Sequence, residues 1–457
     1  MGLIYRLVTV AALMAYASWD LIVFPALAMP EAAFVQAQNS SREAMGLEDC
    51  ISIALSRNLR LLKQQYEQQA ARLESSVSYK EMLPRLSTGY SYTGRRDAAT
   101  VVIFGHSTTI SGHDQYRWDL NIQQPVFYGG LLWNRYKSAR IDVDIAALAL
   151  AQARNDIIRE TKVAFYQVLK DVKLLDEARA SIKRLEAQLS DVREFFNIGL
   201  RPRTDLLQSQ VELSQGRLQL VKARNQLELA RNRLNLVLKR PLDTPVILKD
   251  QLSETRMELT LEKLYSLAYA SRPEILQAEK AVSKAEHQVK IAKSEFFPRV
   301  DLTASYSKEG VTPDVSDNPY GDHDMAQVML NATWELFSWG KSRDRVAAAE
   351  ARLKEARTGL EDVKDHVAYE VKNAFMLWKD AQEGVRVAES ALEHAKEDYE
   401  LNRSRYRQQL ASNTDTLDAQ SRLTRARSEY FSAIALELSA LAQLEYAIGK
   451  EIKNVQD

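Results

Sequence analysis

Two histidine-aspartate pairs are the residues best placed to do chemistry in this sequence: His113-Asp114 and, 210 residues later, His323-Asp324. An imidazole beside a carboxylate can bind a metal ion or titrate near neutral pH. A loop that was duplicated with its surroundings explains the recurrence more simply. We therefore predict no metal site and assign no role to these two pairs.

Motifs of catalysis are absent from the sequence. It has no phosphate-binding glycine loop and no H-E-x-x-H, and GYSYTG, which begins at Gly89, has the wrong spacing for G-x-S-x-G. Cys50 is the only cysteine, so no disulfide can form within the chain, and we interpret it as a small buried residue on a helix. We expect no catalytic residue, no cofactor and no enzyme.

Composition and charge favour a helical protein without a nucleic-acid partner. Only 16 Gly and 11 Pro occur in 457 residues, and 27% of the residues are charged, which is typical of long helices with few turns. The 61 basic and 61 acidic residues balance, whereas binding to phosphates needs a basic excess. The charges are interpreted as solvated helix faces.

The first residues are those of an exported protein. Arg6 precedes an apolar run from Leu7 to Ala17, and small residues follow, which predicts a signal peptide that ends at residue 28 or at residue 37. The alternative is an uncleaved anchor, but the apolar run is well below the roughly 20 residues that span a bilayer.

The chain is predicted to be two copies of one unit, at residues 47–240 and 261–450, joined by a linker at 241–260. LEDCISIALSRN matches LEKLYSLAYASR at an offset of 214, and the offset then settles at 210 through the end of the unit. In each unit a helical segment (47–83; 261–297) ends at a proline, Pro84 or Pro298, which cannot continue a helix. Two strands follow, at about 86–96 and 113–124 and at about 300–308 and 325–334.

Each unit ends in a helical hairpin. A helix of about 69 residues (131–199; 341–409) reaches a turn, FNIGLRPRTDLLQSQ or YRQQLASNTDTLDAQ, and a helix of about 35 residues returns (204–238; 414–448). The long helix spans about 100 Å at 1.5 Å per residue. In the first returning helix, leucines recur every seven residues with small residues between them, which predicts a close-packed coiled-coil seam: Leu206, Leu213, Leu220, Leu227 and Leu234.

The strands alternate between apolar and polar residues, as membrane strands do. A soluble hairpin packed on helices is the alternative, but the export signal and the roughly ten-residue lengths favour the membrane. Four strands cannot close a pore, whereas two copies give eight strands and three give twelve, with room for water. We therefore expect three copies, with lipid-facing side chains at Tyr116, Trp118, Leu120, Ile122, Val328, Leu330 and Trp334.

The sequence resembles the TolC-like outer-membrane efflux proteins over nearly its whole predicted mature length. The resemblance depends on LEDCISIALSRN, on LPRLSTGYSY and FPRVDLTASYS, on QPVFYGG and WELFSWG, and on the paired turns, in their order and duplicate spacing. It implies a mainly α fold with a transmembrane β-barrel portion: a homotrimer with a 12-stranded barrel in the outer membrane of a Gram-negative bacterium and a 12-helix α-barrel in the periplasm.

The resemblance also implies a function. The protein is expected to be the passive exit duct of a tripartite efflux or type I secretion system, with a periplasmic adaptor and an inner-membrane pump as partners. The family's adaptor contact falls on Ile198, Gly199 and Leu200, and in the second turn on Leu410, where Gln408-Gln409 lacks the glycine. The alternative is a periplasmic coiled-coil adaptor or tethering protein without a pore, which leaves the alternating strands unexplained. Drugs, metals and polypeptides all remain possible cargo.

The family's periplasmic gate falls on Asp415, Asp418 and Tyr406. Six carboxylates from three chains would attract cations at a constriction. The alternative is that Thr414 caps the new helix and that the helix dipole favours the acidic Asp415 in its first turn. The family's basic gate residue falls on Ala411, so a cation there is expected to come from Arg405 or Arg407.

Overall fold

The computed structural model describes residues 44–104, 106–253, 259–320 and 324–452. The predicted signal peptide, His323 and part of the linker (254–258) lie outside these residues. The first repeat contains α1 (Leu47–Arg57), α2 (Leu59–Lys80), β1 (Arg85–Gly94), β2 (Ala99–Ile103), β3 (His106–Ser111), β4 (Asp114–Phe127), α3 (Leu131–Asn197) and α4 (Arg203–Val237). The second contains α5 (Leu261–Ser271), α6 (Pro273–Lys293), a 3₁₀ turn (Ser294–Phe296), β5 (Arg299–Gly310), β6 (Asp324–Thr333), α7 (Lys341–Arg407) and α8 (Asn413–Ile448).

The first helical segment of each repeat is two helices, so the prediction of one continuous segment was wrong. Asn58 breaks the first segment: its backbone is extended, and its side chain accepts a hydrogen bond from the Arg60 N–H at 2.9 Å, as an N-cap does. Arg272 breaks the second, because Pro273 disfavours the helical conformation in the residue before it. The breaks occupy matching positions, 214 residues apart.

Four strands form one antiparallel sheet in the order β1-β4-β5-β6, and the β4-β5 pair joins the two repeats. Strands β2 and β3 form a separate hairpin where the sequence predicted only a polar loop. Within the described residues β1 and β6 are the edges of the sheet, so each presents a row of backbone groups with no partner strand.

The strand register sorts the side chains by polarity. Leu120 lies opposite Thr88 on one neighbour and Tyr306 on the other, and Trp118 lies opposite Tyr90. Alternation along the four strands then gives one largely apolar face and one largely polar face. The apolar face carries Leu86, Tyr90, Tyr92, Tyr116, Trp118, Leu120, Ile122, Leu302, Tyr306, Val328 and Leu330. The polar face carries Arg117, Asp119, Asn121, Gln123, Asp301, Ser305, Ser307, Glu309 and Asn331, with Met325 and Met329 as exceptions.

The helices form a layer in which neighbouring helices follow the same order as the strands to which they are connected. Each 67-residue helix runs beside a stacked pair, α3 beside α2 and α4, and α7 beside α6 and α8. Contacts of α3 with α6 and α8 join the repeats. The outermost helices are therefore α2 and α4 on one side and α7 on the other.

The predicted seam on α4 is buried or half-buried, and Leu213, Leu227 and Leu234 belong to cores shared with α3. A side chain at Gly216 would come within 2.8 Å of Leu185, so the helices approach closely there. A second apolar stripe on α4, not anticipated from the sequence, stays exposed: Leu207, Val211, Leu218, Val221, Leu229 and Leu236. One described helix, α8, is long and apolar enough by composition to cross a membrane, and it packs along α7 and α3.

Candidate functional site at the helical turns

The turn between α3 and α4 ends the long helix in a Schellman motif. The Gly199 N–H donates to the Phe196 carbonyl and the Leu200 N–H to the Phe195 carbonyl, each at 2.9 Å. Gly199 takes a φ of +80°, which favours glycine because it has no Cβ. Ile198 and Leu200 are 68% and 50% exposed, so the turn presents two apolar side chains to its surroundings.

The turn between α7 and α8 repeats this geometry without a glycine. The Gln409 N–H donates to the Tyr406 carbonyl at 2.9 Å and the Leu410 N–H to the Arg405 carbonyl at 2.8 Å. Gln409 holds a φ of +63°. Leu410 is 65% exposed. The second turn therefore has a different residue at this position and keeps the same backbone conformation.

The two turns touch through Arg201. Its Nη2 donates to the Ala411 carbonyl at 2.8 Å, and its guanidinium lies 4.9 Å from the centre of the Tyr406 ring. Arg201 and Ala411 occupy the same position in the two repeats, 210 residues apart. The only signal for this contact in the sequence is the presence of an Arg in one turn and its absence from the other.

Tyr406 is fully buried between the turns, at 0% exposure. Its ring packs against Phe195 with centroids 5.7 Å apart, and its hydroxyl has no hydrogen-bond partner among the described residues. Burial raises the pKa of this hydroxyl to about 12. Within one chain, Tyr406 therefore contacts the other turn through its ring and does not face an opening.

A buried polar network lies next to Tyr406. Asn413, at 1% exposure, donates to the Ser209 hydroxyl at 3.1 Å and to the Asp205 carbonyl at 3.2 Å, and it accepts from Gln188 at 3.0 Å. These residues lie on α8, α4 and α3. The sequence did not predict this network. Its one signal is an Asn in the first turn of a helix, at a position where capping residues are common.

The acidic residues of the second turn differ in their surroundings. Ser412, not the expected Thr414, caps α8: its hydroxyl accepts from the Asp415 N–H at 3.1 Å, and Asp415 accepts from the Ser412 N–H at 2.9 Å. This hydrogen bond from the Ser412 backbone lowers the pKa of Asp415. Asp418 is exposed one turn further along.

The two expected cations have separate contacts. Arg407 pairs with Asp191 of α3 at 3.3 Å, which links the two hairpins. Arg405 is among the charges that help to lower the pKa of Asp415. Arg201, which was not predicted, is the cation that reaches from the first turn to the second.

The strands present the predicted lipid-facing residues on the single apolar face, with Trp334 directly after β6. Val328, Leu330 and Trp334 are 75%, 66% and 57% exposed. Carboxylates on the polar face have partners: Asp119 accepts from Asn121 at 2.6 Å, and Glu309 pairs with Arg117 at 3.3 Å. Whether the apolar face meets lipid stays a prediction.

Among the described residues no group of three His, Cys, Asp or Glu side chains could hold a metal ion. His113 Nδ1 lies 3.0 Å from the Arg96 carbonyl oxygen. His323, its partner in the predicted repeat, lies outside the described residues. The absence of a metal or catalytic role stays a prediction.

Comparison with known proteins gives a family match over most of the chain. The profile described as "Outer membrane efflux protein" matches residues 50–238 and 264–450, one segment in each repeat. Alkaline protease secretion protein AprF of Pseudomonas aeruginosa is 23% identical over 425 residues, covering 91% of this chain and 87% of AprF. Toluene efflux pump outer membrane protein TtgF of Pseudomonas putida is 23% identical, covering 90% and 84%. Outer membrane protein TolC of Escherichia coli is 23% identical, covering 82% and 76%.

Solved structures share the fold. The outer membrane protein VceC of Vibrio cholerae superimposes with a TM-score of 0.75 at 18% identity, covering 88% of this chain and 96% of VceC. The MtrE outer membrane channel of Neisseria gonorrhoeae does so with a TM-score of 0.73 at 20% identity, covering 89% of each chain. The similarity includes both the sheet and the helical layer, since it extends over nearly nine-tenths of the chain.

Proposed function

We propose that this chain, which belongs to the outer membrane efflux protein family, assembles as a homotrimeric duct. Cargo leaves the periplasm through this duct passively. Membership of this family places the protein in the outer membrane as an exit channel and does not support the alternative of a poreless periplasmic adaptor. We propose the number of copies, the partners and the absence of catalysis.

The observation that carries the proposal is that the sheet and the helical layer both end in open edges. The backbone groups of β1 and β6 need partners, because an unsatisfied group in hydrocarbon costs several kcal/mol. On the β1 side of the chain, helix α4 presents its apolar stripe and α2 presents Leu59, Leu62, Tyr66, Leu73 and Val77. Pairing the β1 edge of one copy with the β6 edge of the next satisfies both layers at once and closes a ring.

Three copies give twelve strands around a lumen lined by the polar face. Eight strands, from two copies, would form a barrel filled by its own side chains, whereas twelve leave a water-filled passage. The apolar face then meets lipid all round, and aromatic side chains lie near its two ends, as in other membrane barrels.

The helical turns are then the far end of the duct. Ile198, Leu200 and Leu410 are exposed apolar side chains at this tip, and we propose that they contact a periplasmic adaptor that couples the duct to an inner-membrane pump. Asp415 and Asp418 are proposed to form the acidic ring at the tip. Because AprF and TtgF are named for different exports, protease secretion and toluene efflux, we propose that the pump and adaptor select the cargo.

Two measurements on the purified protein test the proposal. Light scattering in detergent is expected to give the mass of three chains, each of 51.9 kDa before any processing. Planar bilayers are expected to show discrete conductance steps. A monomer that needs no detergent and gives no steps would overturn the proposal in favour of a tether.

A further inference from the structure

The neck of the chain, where the sheet meets the helices, contains a close joint between the two repeats. The turn before α3 (residues 128–130) lies against the second-repeat corner (residues 294–299), where the 3₁₀ turn leads into β5. A Cβ on Gly129 would come within 2.7 Å of the Phe297 Cβ and within 2.8 Å of the Ser294 carbonyl oxygen. The two surfaces can therefore approach this closely only because residue 129 is a glycine.

The same joint contains a hydrogen bond and an aromatic contact. The Tyr128 hydroxyl donates to the Asp301 carboxylate at 2.8 Å. The Phe127 and Phe297 rings meet edge to face, with centroids 6.4 Å apart. These contacts hold the turn of the first repeat against the second repeat within one chain.

The turn before α7 (residues 338–340) has the same backbone and a different side chain. Trp339 occupies the position of Gly129, 210 residues later, and holds a φ of +53° where Gly129 holds +59°. The glycines that follow them, Gly130 and Gly340, hold +82° and +84°. In both turns the first N–H of the long helix donates to the carbonyl three residues earlier at 3.0 Å. The Trp339 side chain therefore leaves the backbone in the direction that a side chain on Gly129 would take.

Trp339 is poorly accommodated in one chain alone. A bulky residue at positive φ is strained, and residues of this kind cluster at binding and switch sites. The Trp339 side chain stays 90% exposed, with the Phe337 ring 5.1 Å away between centroids. One chain thus strains this residue and gives it little burial.

The internal repeat identifies the surface that Trp339 faces. Strand β4 lies beside β5 within the chain, whereas β6 is an edge that pairs with β1 of the next copy in the proposed ring. The turn after β6 then meets the first-repeat corner (residues 80–85) of that copy, as the turn after β4 meets the second-repeat corner. In this corner Leu83 and Lys80 match Phe297 and Ser294, at an offset of 214.

The joint between copies cannot repeat the joint within a chain. In an identical arrangement the Cβ of Trp339 would meet Leu83 and Lys80 of the next copy at the distances that exclude a side chain at Gly129. The joint between copies has to be wider, by enough to admit an indole ring.

The hydrogen bond of the intrachain joint is also missing between copies. Ser338 and Ser87 stand at the positions of Tyr128 and Asp301. Two serines are too short to replace a tyrosine and an aspartate across a wider gap. Apolar burial has to hold this joint instead.

We propose that Trp339 docks on the first-repeat corner of the next copy and that its indole fills a joint wider than the one within each chain. Leu83, which is 46% exposed, provides the apolar surface for the ring. Tight and wide joints then alternate around the neck. The inference rests on the proposed ring of copies and adds the residue that sets their spacing.

Cysteine cross-linking of the full-length protein locates the docking surface. Trp339→Cys combined with Leu83→Cys is expected to give linked dimers and trimers with a short bismaleimide, because the two positions lie at opposite edges of one chain and meet only between copies. Trp339→Cys with Leu73→Cys is the matched control and is expected to give no links. Leu73 is also exposed, but it lies ten residues earlier, which is about 15 Å along a helix. The native Cys50 is fully buried and stays unmodified.

Removing the indole tests its contribution to assembly. Trp339→Gly is expected to lower the temperature at which the trimer dissociates in dodecyl sulfate, although it relieves backbone strain within each chain. Trp339→Phe is expected to give an intermediate temperature, since it keeps a smaller ring. Asp317→Gly is the control for relief of strain: it replaces a residue with a φ of +61° in the loop between β5 and β6, at the other end of the sheet, and is expected to leave the temperature unchanged.

Four results would overturn the inference. An intact trimer in which both cysteine pairs link equally, or neither links, places the docking surface elsewhere. A Trp339→Gly trimer as resistant to heat as wild type shows that the indole buries nothing between copies. Brominated phospholipid that quenches the Trp339 fluorescence, measured as the difference between wild type and Trp339→Phe, assigns the residue to the bilayer. A wild-type protein that is monomeric in detergent overturns the proposed function itself, and the inference with it.

Discussion

Gly199 and Gln409, 210 residues apart, hold the same left-handed backbone conformation, at φ of +80° and +63°. Each closes a long helix with the same two hydrogen bonds. Glycine adopts this conformation freely, whereas a residue with a Cβ is strained there. The second turn therefore carries strain that the first does not.

Gln409→Gly is expected to stabilise the protein by about 0.5–1 kcal/mol, because it relieves that strain. Gly199→Ala, the reciprocal change, is expected to destabilise it by a similar amount. The measurement is chemical unfolding of the helical portion followed by circular dichroism. Equal midpoints for Gln409→Gly and wild type would show that the turn tolerates Gln without cost.

Gly199→Trp is expected to abolish export by cells while leaving the trimer intact. The site has room, since a Cβ at Gly199 meets nothing within 4 Å, so the large side chain covers the Ile198-Leu200 surface. Gln409→Trp, at the twin position beside Leu410, tests the second turn in the same way. Full export by the Gly199→Trp protein would remove this turn from adaptor contact.

Asp418→Asn is expected to remove most of the block of conductance by multivalent cations applied from the side of the turns, without lowering the stability of α8. Asp415→Asn is expected to weaken both, because Asp415 also accepts the capping hydrogen bond from Ser412. Substituting both is expected to abolish the block. Conductance titrations with a trivalent cation measure the first effect and hydrogen exchange at the start of α8 the second. Block that persists in the double variant would show that both residues only stabilise the start of α8.

Leu120→Arg is expected to hinder membrane insertion of the sheet, and Asn121→Arg is not, although the two residues are adjacent. Leu120 lies on the apolar face and Asn121 on the polar face. An Arg near the middle of the bilayer on a lipid-facing strand costs about 2–4 kcal/mol. Recovery of folded protein in lipid vesicles measures the difference, and equal yields of the two variants would contradict the assignment of faces.

Alkaline stability is expected to depend on Tyr406. Burial raises its pKa to about 12 in the folded protein, against about 10 when unfolded. Its contribution to stability is therefore complete below pH 10 and is lost as the pH rises towards 12. Melting temperatures of wild type and Tyr406→Phe between pH 8 and 12 are expected to diverge in this interval, and parallel curves would show that Tyr406 is not buried in solution.

Regular patterns made much of the fold predictable. The stretch from Leu131 onward without Gly or Pro predicted the long helix, and alternation from Tyr116 to Gln123 predicted a strand with one apolar face. Both are properties of neighbouring residues in the chain. The break at Asn58 was missed, because Asn is compatible with a helix interior and only the cap it forms distinguishes it.

The site was less predictable because its contacts join residues that are far apart in sequence. Asp415 and Gly199 were identified through the family resemblance, which places them in the two turns. Arg201 could not be identified in this way, since its contact with Ala411 depends on how two hairpins lie against each other. The exposed stripe on α4 was missed for a related reason: the heptad of Leu206 to Leu234 accounts for one side of the helix, and under the proposed assembly the second side packs only against another copy.

The open edges of the sheet also carry a consequence for biogenesis. A newly made chain exposes the backbone of β1 and β6, together with the apolar stripe of α4, before it meets other copies. Unpaired strand edges of this kind are templates for pairing with unrelated chains. Assembly therefore competes with aggregation, and the time that each chain spends as a monomer decides which of the two prevails.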